Sequence, residues 1–205
     1  MSQATTSKSR MRTMNKMPTI KIRFPAGRYH ATTWGHHVNE GQIEWPPSPW
    51  RMLRAFVACG FNTQHWSEVP VEGRTLLQKL ASVLPSYRLP SASAAHSRHF
   101  MPVGTLDKGR EKTTLVFDTW ANIGGDELVI RWGCDLTNDE RELFSRLVDC
   151  LGYLGRSESW VEAEMLDDES AETIEFNAIP HHLGQQQGSG NSRKMFSTIG
   201  VRQLT

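Results

Sequence analysis

The sequence has little of what marks disulfide-rich, zinc-binding or membrane proteins. It contains only three cysteines in 205 residues, Cys59, Cys134 and Cys150, and none of them belongs to a CxxC pair. This spacing argues against zinc and thioredoxin-like motifs and favours reduced thiols. The best apolar run, residues 52–59, includes Arg54 and falls well short of the ~20 residues of a membrane helix. We therefore expect a cytoplasmic protein with no membrane partner.

The sequence also lacks a strong net charge, but its charges are unevenly distributed. A net charge of +1 favours neither nucleic acid nor membrane as a partner. Residues 1–60 nevertheless hold nine Lys or Arg and two Glu, whereas residues 135–175 hold three Arg and thirteen Asp or Glu. The first sixteen residues are basic and lack the apolar block of a secretory signal, which predicts a disordered leader.

The pattern of apolar residues predicts an α+β domain over residues 17–166. Capping and breaker residues set the ends of its helices, and residues 122–126 predict a hairpin turn between two strands. Residues 86–112 fit no clear pattern and are treated as an insertion. The predicted elements are a strand at 19–24, helices at 50–59 and 74–84, strands at 114–120 and 127–132, a helix after the capping box at 137–140, and a strand at 160–165.

Without the insertion and the helix at 74–84 that precedes it, the predicted order is βαββαβ. This is the order of a ferredoxin-like domain, in which helices cover one face of an antiparallel sheet. RNA-binding modules commonly use this plan, although the fold alone assigns no function. Residues 167–205 are acidic and then rich in Gln, Gly and Ser, which predicts a polar tail without a core of its own.

A first group of candidate RNA-binding residues lies on the first predicted strand and the loop after it. Lys21 and Arg23 share the polar face of the strand, and Arg28 and Tyr29 follow. Cations of this kind contact phosphates, and a tyrosine ring stacks on a base. A solvated strand face is the alternative interpretation. His30, directly after this group, is a candidate general base.

A second group lies within five residues, His96, Arg98 and His99 among them. Imidazole titrates near neutral pH and arginine pairs with phosphate, which favours RNA contact or acid–base catalysis. Two histidines three residues apart on a strand lie on opposite faces, and no Cys or carboxylate is nearby. We therefore predict no metal site, and hydrogen bonding of a histidine to the backbone is the structural alternative.

A third candidate is the glycine-punctuated segment 152–159. Gly152 and Gly155 permit close approach of a backbone, Arg156 supplies charge, and Ser157 and Ser159 supply donors. The segment lacks the spacing and the lysine of a Walker loop. It predicts a loop that holds a phosphodiester, and a helix C-cap followed by a turn is the alternative.

Four segments occur in an order seen in one protein family. They are FPAGRYH at 24–30, WPPSPWR at 45–51, HSRHFMP at 96–102 and LGYLGRSESW at 151–160. They resemble the CRISPR-associated RAMP protein of the type I-G (formerly I-U) effector. In that family a subunit that binds the crRNA 5′ handle is fused to the endoribonuclease that processes crRNA. The resemblance spans about residues 17–166.

This resemblance implies a RAMP fold, related to the RNA-recognition motif, at the foot of a Cascade surveillance complex. The implied partners are crRNA and the backbone and large subunits of Cascade, with no cofactor. The resemblance places Gly152, Gly155 and Arg156 near RNA. Family members continue into a second RAMP domain, whereas residues 167–205 are too few for one. We therefore expect mainly the handle-binding half, followed by a truncated second domain.

Three functions remain open from the sequence. The first is a non-catalytic subunit that binds crRNA. The second is a metal-independent endoribonuclease in which His30, His96 or His99 activates a ribose 2′-OH. The third is a protein-interaction module, suggested by the acidic segment 135–175 and the many tryptophans.

Overall fold

The computed structural model describes residues 17–37, 40–107 and 109–180, and all that follows concerns these residues. The predicted leader at 1–16 and the tail from residue 181 lie outside them. The prediction of an α+β chain with antiparallel sheets is confirmed. In chain order the elements are β1 (Thr19–Arg23), β2 (Arg28–Tyr29), α1 (Pro49–Asn62), α2 (Val71–Ser82), β3 (Ser86–Arg88), β4 (Ala92–Asp107), β5 (Arg110–Ile123), β6 (Leu128–Arg131), α3 (Asn138–Asp149), β7 (Glu162–Met165) and α4 (Asp168–Glu172).

A four-stranded antiparallel sheet with the order β3-β6-β1-β7 lies at the centre of the fold. In β1 the predicted alternation is confirmed, because Ile20 and Ile22 are fully buried and Lys21 between them is not. The two isoleucines share one hydrophobic core with side chains of α1, α2 and α3. Phe56 of α1 and Phe144 of α3 pack edge to face, with ring centroids 5.2 Å apart.

Local sequence signals set the starts of the helices. In α1, the Ser48 hydroxyl accepts a hydrogen bond from the Arg51 backbone N–H, and Pro49 occupies the first turn. The capping box of α3 is confirmed, since Thr137 and Glu140 each accept a hydrogen bond from the other's backbone N–H. In the described part of the chain, no helix is long and apolar enough to cross a bilayer.

A second antiparallel sheet has the order β2-β5-β4, and β4 and β5 form one long hairpin. The predicted hairpin between residues 114–120 and 127–132 is therefore wrong. The first run belongs to β5, which pairs with β4 and β2, and the second belongs to β6, which pairs with β1 and β3. The turn at 124–127 carries the chain from one sheet to the other.

Residues 167–180 pack against the edge of the central sheet. Asp167 caps the short helix α4 by accepting a hydrogen bond from the Ser170 N–H at 2.7 Å. Further on, Ala178 and Tyr87 of β3 exchange two backbone hydrogen bonds, at 2.7 and 3.0 Å. This contact covers the outer edge of β3.

Candidate nucleic-acid interface

The segment 152–159, here called the glycine loop, is fastened to the segment that follows β2. The Arg156 N–H donates a hydrogen bond to the His30 carbonyl at 2.9 Å. In return, the His30 N–H donates to the Ser159 hydroxyl oxygen at 2.7 Å. Inside the loop, the Leu154 N–H donates to the Ser159 carbonyl at 3.0 Å. These bonds fix the loop against a segment more than 120 positions away in the sequence.

The two predicted glycines of this loop have different roles. Gly155 has a φ of +87°, and a Cβ there would lie 2.5 Å from the His30 carbonyl oxygen. Its lack of a side chain therefore allows the loop to approach the His30 backbone, rather than a ligand as the sequence suggested. Gly152 is exposed, and a Cβ there would have no neighbour within 4 Å.

The loop places a carboxylate against the His30 side chain. Nδ1 of His30 lies 2.7 Å from Oε1 of Glu158, and only 9% of the His30 side chain is exposed. Burial lowers the pKa of His30, and the charge of Arg156 lowers it further, while Glu158 opposes both. The imidazole is therefore mainly neutral at pH 7. Because a carboxylate only accepts hydrogen bonds, Nδ1 carries the proton and Nε2 keeps its lone pair.

A second carboxylate links the glycine loop to the hairpin. Asp118 of β5 accepts a hydrogen bond from Arg156 Nη1 at 3.2 Å through one oxygen. Its other oxygen lies 3.9 Å from His99 Nδ1, on the adjacent strand β4. Three of the predicted site residues, His30, His99 and Arg156, are therefore brought into one cluster.

His96 and Arg98 lie outside this cluster. Along β4 they occupy the opposite face from His99, where both contact Phe117 of β5. The His96 ring centroid lies 5.3 Å from that of Phe117, and the Arg98 guanidinium carbon lies 5.3 Å from the same ring. Among the residues that the structure describes, no group of three His, Cys, Asp or Glu is arranged to hold a metal ion.

The basic face predicted for β1 is occupied by acidic partners. Lys21 Nζ lies 2.7 Å from Glu164 and 3.2 Å from Glu127, and Arg23 pairs with Glu162. Hydrogen bonds to Glu164 and then to Glu127 raise the pKa of Lys21. Lys21 and Arg23 thus pair with Glu162 and Glu164 of the acidic segment and with Glu127, and β1 does not offer unpaired cations to RNA.

The prediction that Tyr29 stacks on a base is wrong, because its side chain is fully buried. The Tyr29 hydroxyl donates a hydrogen bond to Glu44 at 3.1 Å, and Arg51 Nε donates to the same carboxylate oxygen at 2.7 Å. Burial raises the pKa of Tyr29 well above its usual value. Arg28 beside it is exposed and has no ion-pair partner among the described residues.

Two members of the cluster, Asp118 and Glu158, were not predicted. Glu158 lies inside the glycine loop, and its pairing with His30 bridges a sequence separation of 128 residues. Asp118 lies in a strand that mixes apolar and polar residues, and only the register of β4 against β5 places it beside His99. No local sequence signal marks Asp118. In the structure, Ser97 and Asp118 are register partners, and His99 lies two residues further along the same face.

Comparison with known proteins gives limited similarity. No family model matches the sequence, and no curated protein matches it. Among solved structures, Thermus thermophilus Cas6 is similar with a TM-score of 0.37 and 14% sequence identity. The similarity covers 74% of this chain and 54% of that protein, so the chain spans about half of its length. At this level of similarity, function has to be argued from the site itself.

Proposed function

We propose that the protein is a CRISPR-associated RNA-binding subunit that holds the 5′ handle of a crRNA. In this proposal it caps a type I Cascade complex of the I-G kind, beside the backbone and large subunits. Its place is the cytoplasm, where its three unpaired cysteines stay reduced.

One observation carries the proposal: the four segments that resemble the RAMP family meet around the glycine loop. His30, at the end of the first segment, is hydrogen-bonded to the loop, and His99 of the third is joined to Arg156 through Asp118. Trp50 and Arg51 of the second segment line a cavity together with Gly152 and Gly155 of the loop. A shared ligand surface explains why segments so far apart in sequence converge.

The order of the central sheet supports a ferredoxin-like RAMP domain. A split βαβ unit leaves room for another strand between the two strands that its helix connects. Here β6 lies between β1 and β3, which α1 and α2 connect, and β1 lies between β6 and β7, which α3 connects. The β4–β5 hairpin is then the insertion in this domain.

The main test is direct binding of RNA to the full chain. Labelled single-stranded repeat RNA is titrated in EDTA at two salt concentrations, and the dissociation constant is followed by fluorescence anisotropy. We expect binding that weakens with salt, because phosphate contacts release counterions. Arg156→Gln reduces the affinity. It also lowers the slope of log affinity against log salt concentration by about one, the share of one phosphate contact. Arg146→Gln, an exposed arginine on α3, is the matched control and leaves both unchanged. Absent or salt-insensitive binding contradicts the proposal.

The His30–Glu158 pair favours a second candidate function, metal-independent cleavage of the same RNA. A neutral histidine oriented by a carboxylate is the arrangement of a general base. In this mechanism Nε2 of His30 takes the proton of a ribose 2′-OH, and the 2′ oxygen attacks the adjacent phosphorus. The P–O5′ bond breaks, the 5′ oxygen takes a proton from solvent water and leaves as a hydroxyl, and a 2′,3′-cyclic phosphate forms. Arg156 is placed to stabilise the extra negative charge on phosphorus.

Cleavage is tested on the same samples by gel electrophoresis. The endoribonuclease predicts EDTA-resistant products with cyclic phosphate ends, lost in His30→Ala and reduced in Glu158→Gln. Because His96 lies on the other face of β4, His96→Ala serves as a control and retains cleavage. Binding without cleavage in the unaltered protein rejects this second function and leaves the first in place.

A further inference from the structure

A cavity of about 450 Å³ lies between α1 and the glycine loop. Its volume falls in the range of small-ligand sites, about 300–1,000 Å³. One wall is the exposed side of α1, with Trp50, Arg51 and Arg54, and the opposite wall is formed by residues 150–155. Trp34 contributes from the loop after β2.

Three aromatic side chains from three separate segments face this cavity while remaining largely exposed. Trp34 is 78% exposed, Trp50 is 59% exposed and Tyr153 is 51% exposed. None of these rings packs on another aromatic ring within the described residues. Exposed apolar surface gathered at one concave site marks a binding surface more often than scattered single residues do. Flat rings of this kind stack on nucleobases irrespective of sequence.

The charge of the cavity suits an anionic ligand. Arg54 is exposed and has no ion-pair partner in the part of the chain that is described. Glu44 is the carboxylate of the lining, but it is buried and neutralised by Arg51 at 2.7 Å. Arg54 is therefore left to pair with a charged group from outside, such as a phosphate.

The glycine loop leaves its side of the cavity open. Gly152 lines the cavity, and no atom lies within 4 Å of the position where its Cβ would be. Unlike at Gly155, nothing inside the protein forbids a side chain at this position. The space beside Gly152 is thus available to a ligand that approaches the backbone closely.

We infer that this cavity binds one unstacked nucleobase of single-stranded RNA, which stacks on the Trp50 ring while Arg54 holds a neighbouring phosphate. This inference rests on the proposed function, because it names where the RNA of that function is held. The cavity adjoins the glycine loop through Gly152 and Gly155, and Arg156 directly follows Gly155 in the chain. An apolar peptide would use the aromatic rings but not Arg54.

The experiment compares affinities of the full chain for labelled single-stranded RNA. Removing an aromatic side chain on which one base stacks corresponds to a loss of affinity of about 5- to 140-fold. We expect Trp50→Leu to weaken binding within this range, and Trp50→Phe, which keeps an aromatic ring, to retain most of the affinity. Phe61→Leu, on the same helix but outside the cavity lining, is the control and leaves affinity unchanged. Arg54→Gln weakens binding, and Arg74→Gln, at an exposed site on α2, does not.

A second readout separates stacking from a structural effect. The second readout uses a set of RNAs, each lacking the base at one position. At one position, loss of the base is expected to weaken binding to the unaltered protein but not to Trp50→Leu. If Trp50→Phe loses as much affinity as Trp50→Leu, or if no base position couples to Trp50, stacking in the cavity is rejected. If Arg156→Gln weakens binding while all cavity variants bind normally, the cavity inference fails and the proposed function stands. If the unaltered protein binds no RNA, both fail.

Discussion

Replacing Gly155 by alanine tests how the glycine loop is held in place. The Cβ of alanine would lie 2.5 Å from the His30 carbonyl oxygen and 3.1 Å from the Ala31 Cβ, at a φ of +87°. A left-handed backbone costs a residue with a side chain about 1–2 kcal/mol. Displacing the loop also weakens the hydrogen bond from the Arg156 N–H to His30, worth about 1 kcal/mol. We expect a total loss of about 2–3 kcal/mol.

The measurement is urea unfolding followed by tryptophan fluorescence. With a slope of about 2 kcal/mol per molar urea, the midpoint falls by about 1–1.5 M. Gly152→Ala is the matched control, because its Cβ meets no atom within 4 Å and its backbone is not left-handed. This control is expected to change stability by no more than about 0.5 kcal/mol. Equal effects of the two substitutions, or none at Gly155, would refute the argument that the loop rests on the His30 carbonyl.

Three further predictions concern charged groups around the site. Because the folded state lowers the pKa of His30, the unfolded chain binds the proton first as pH falls below about 6.5, and stability decreases towards acid. When the pH is lowered from 7.5 to 5.5, the free energy of unfolding should fall less in His30→Gln than in the unaltered protein. An equal fall in both would exclude His30 as a source of this pH dependence. Glu44→Gln should cost about 2–3 kcal/mol in thermal or urea unfolding, since it leaves Arg51 half-buried without its counter-charge. Lys21→Gln should change RNA affinity less than about twofold, because Glu127 and Glu164 already hold this ammonium group; a tenfold loss would restore the basic face of β1 as an RNA contact.

The parts of the fold predicted from sequence are those with local signals. The alternation around Ile20 and Ile22 marks β1, and the reciprocal bonds of Thr137 and Glu140 mark the start of α3. The long hairpin was not predicted, because the outer parts of β4 and β5 are exposed on both faces and carry no alternation of apolar and polar residues. Likewise, β5 pairs with β4 instead of β6 because of long-range contacts, which the turn-like sequence between β5 and β6 does not reveal.

For the candidate site, the sequence predicted some of the residues but not which of them lie close together. The histidines and Arg156 were identified because their chemistry is recognisable in sequence. Whether they meet depends on long-range contacts, such as His30 with Glu158 and Arg156 with Asp118. The same contacts explain the errors, since Tyr29 and Lys21 find partners inside the protein that a local view cannot supply.

The measurement that tests the central claim most directly is hydrogen–deuterium exchange of the full chain with and without repeat RNA. The account predicts that RNA slows exchange in peptides covering residues 28–34, 49–54 and 151–160, where the glycine loop, His30 and the cavity lie. Peptides covering β7 and α4 should be unchanged, because Glu162, Glu164 and Asp168 pair with cations within the protein. Protection confined to β7 and α4, or no protection at RNA concentrations that saturate binding, would contradict it.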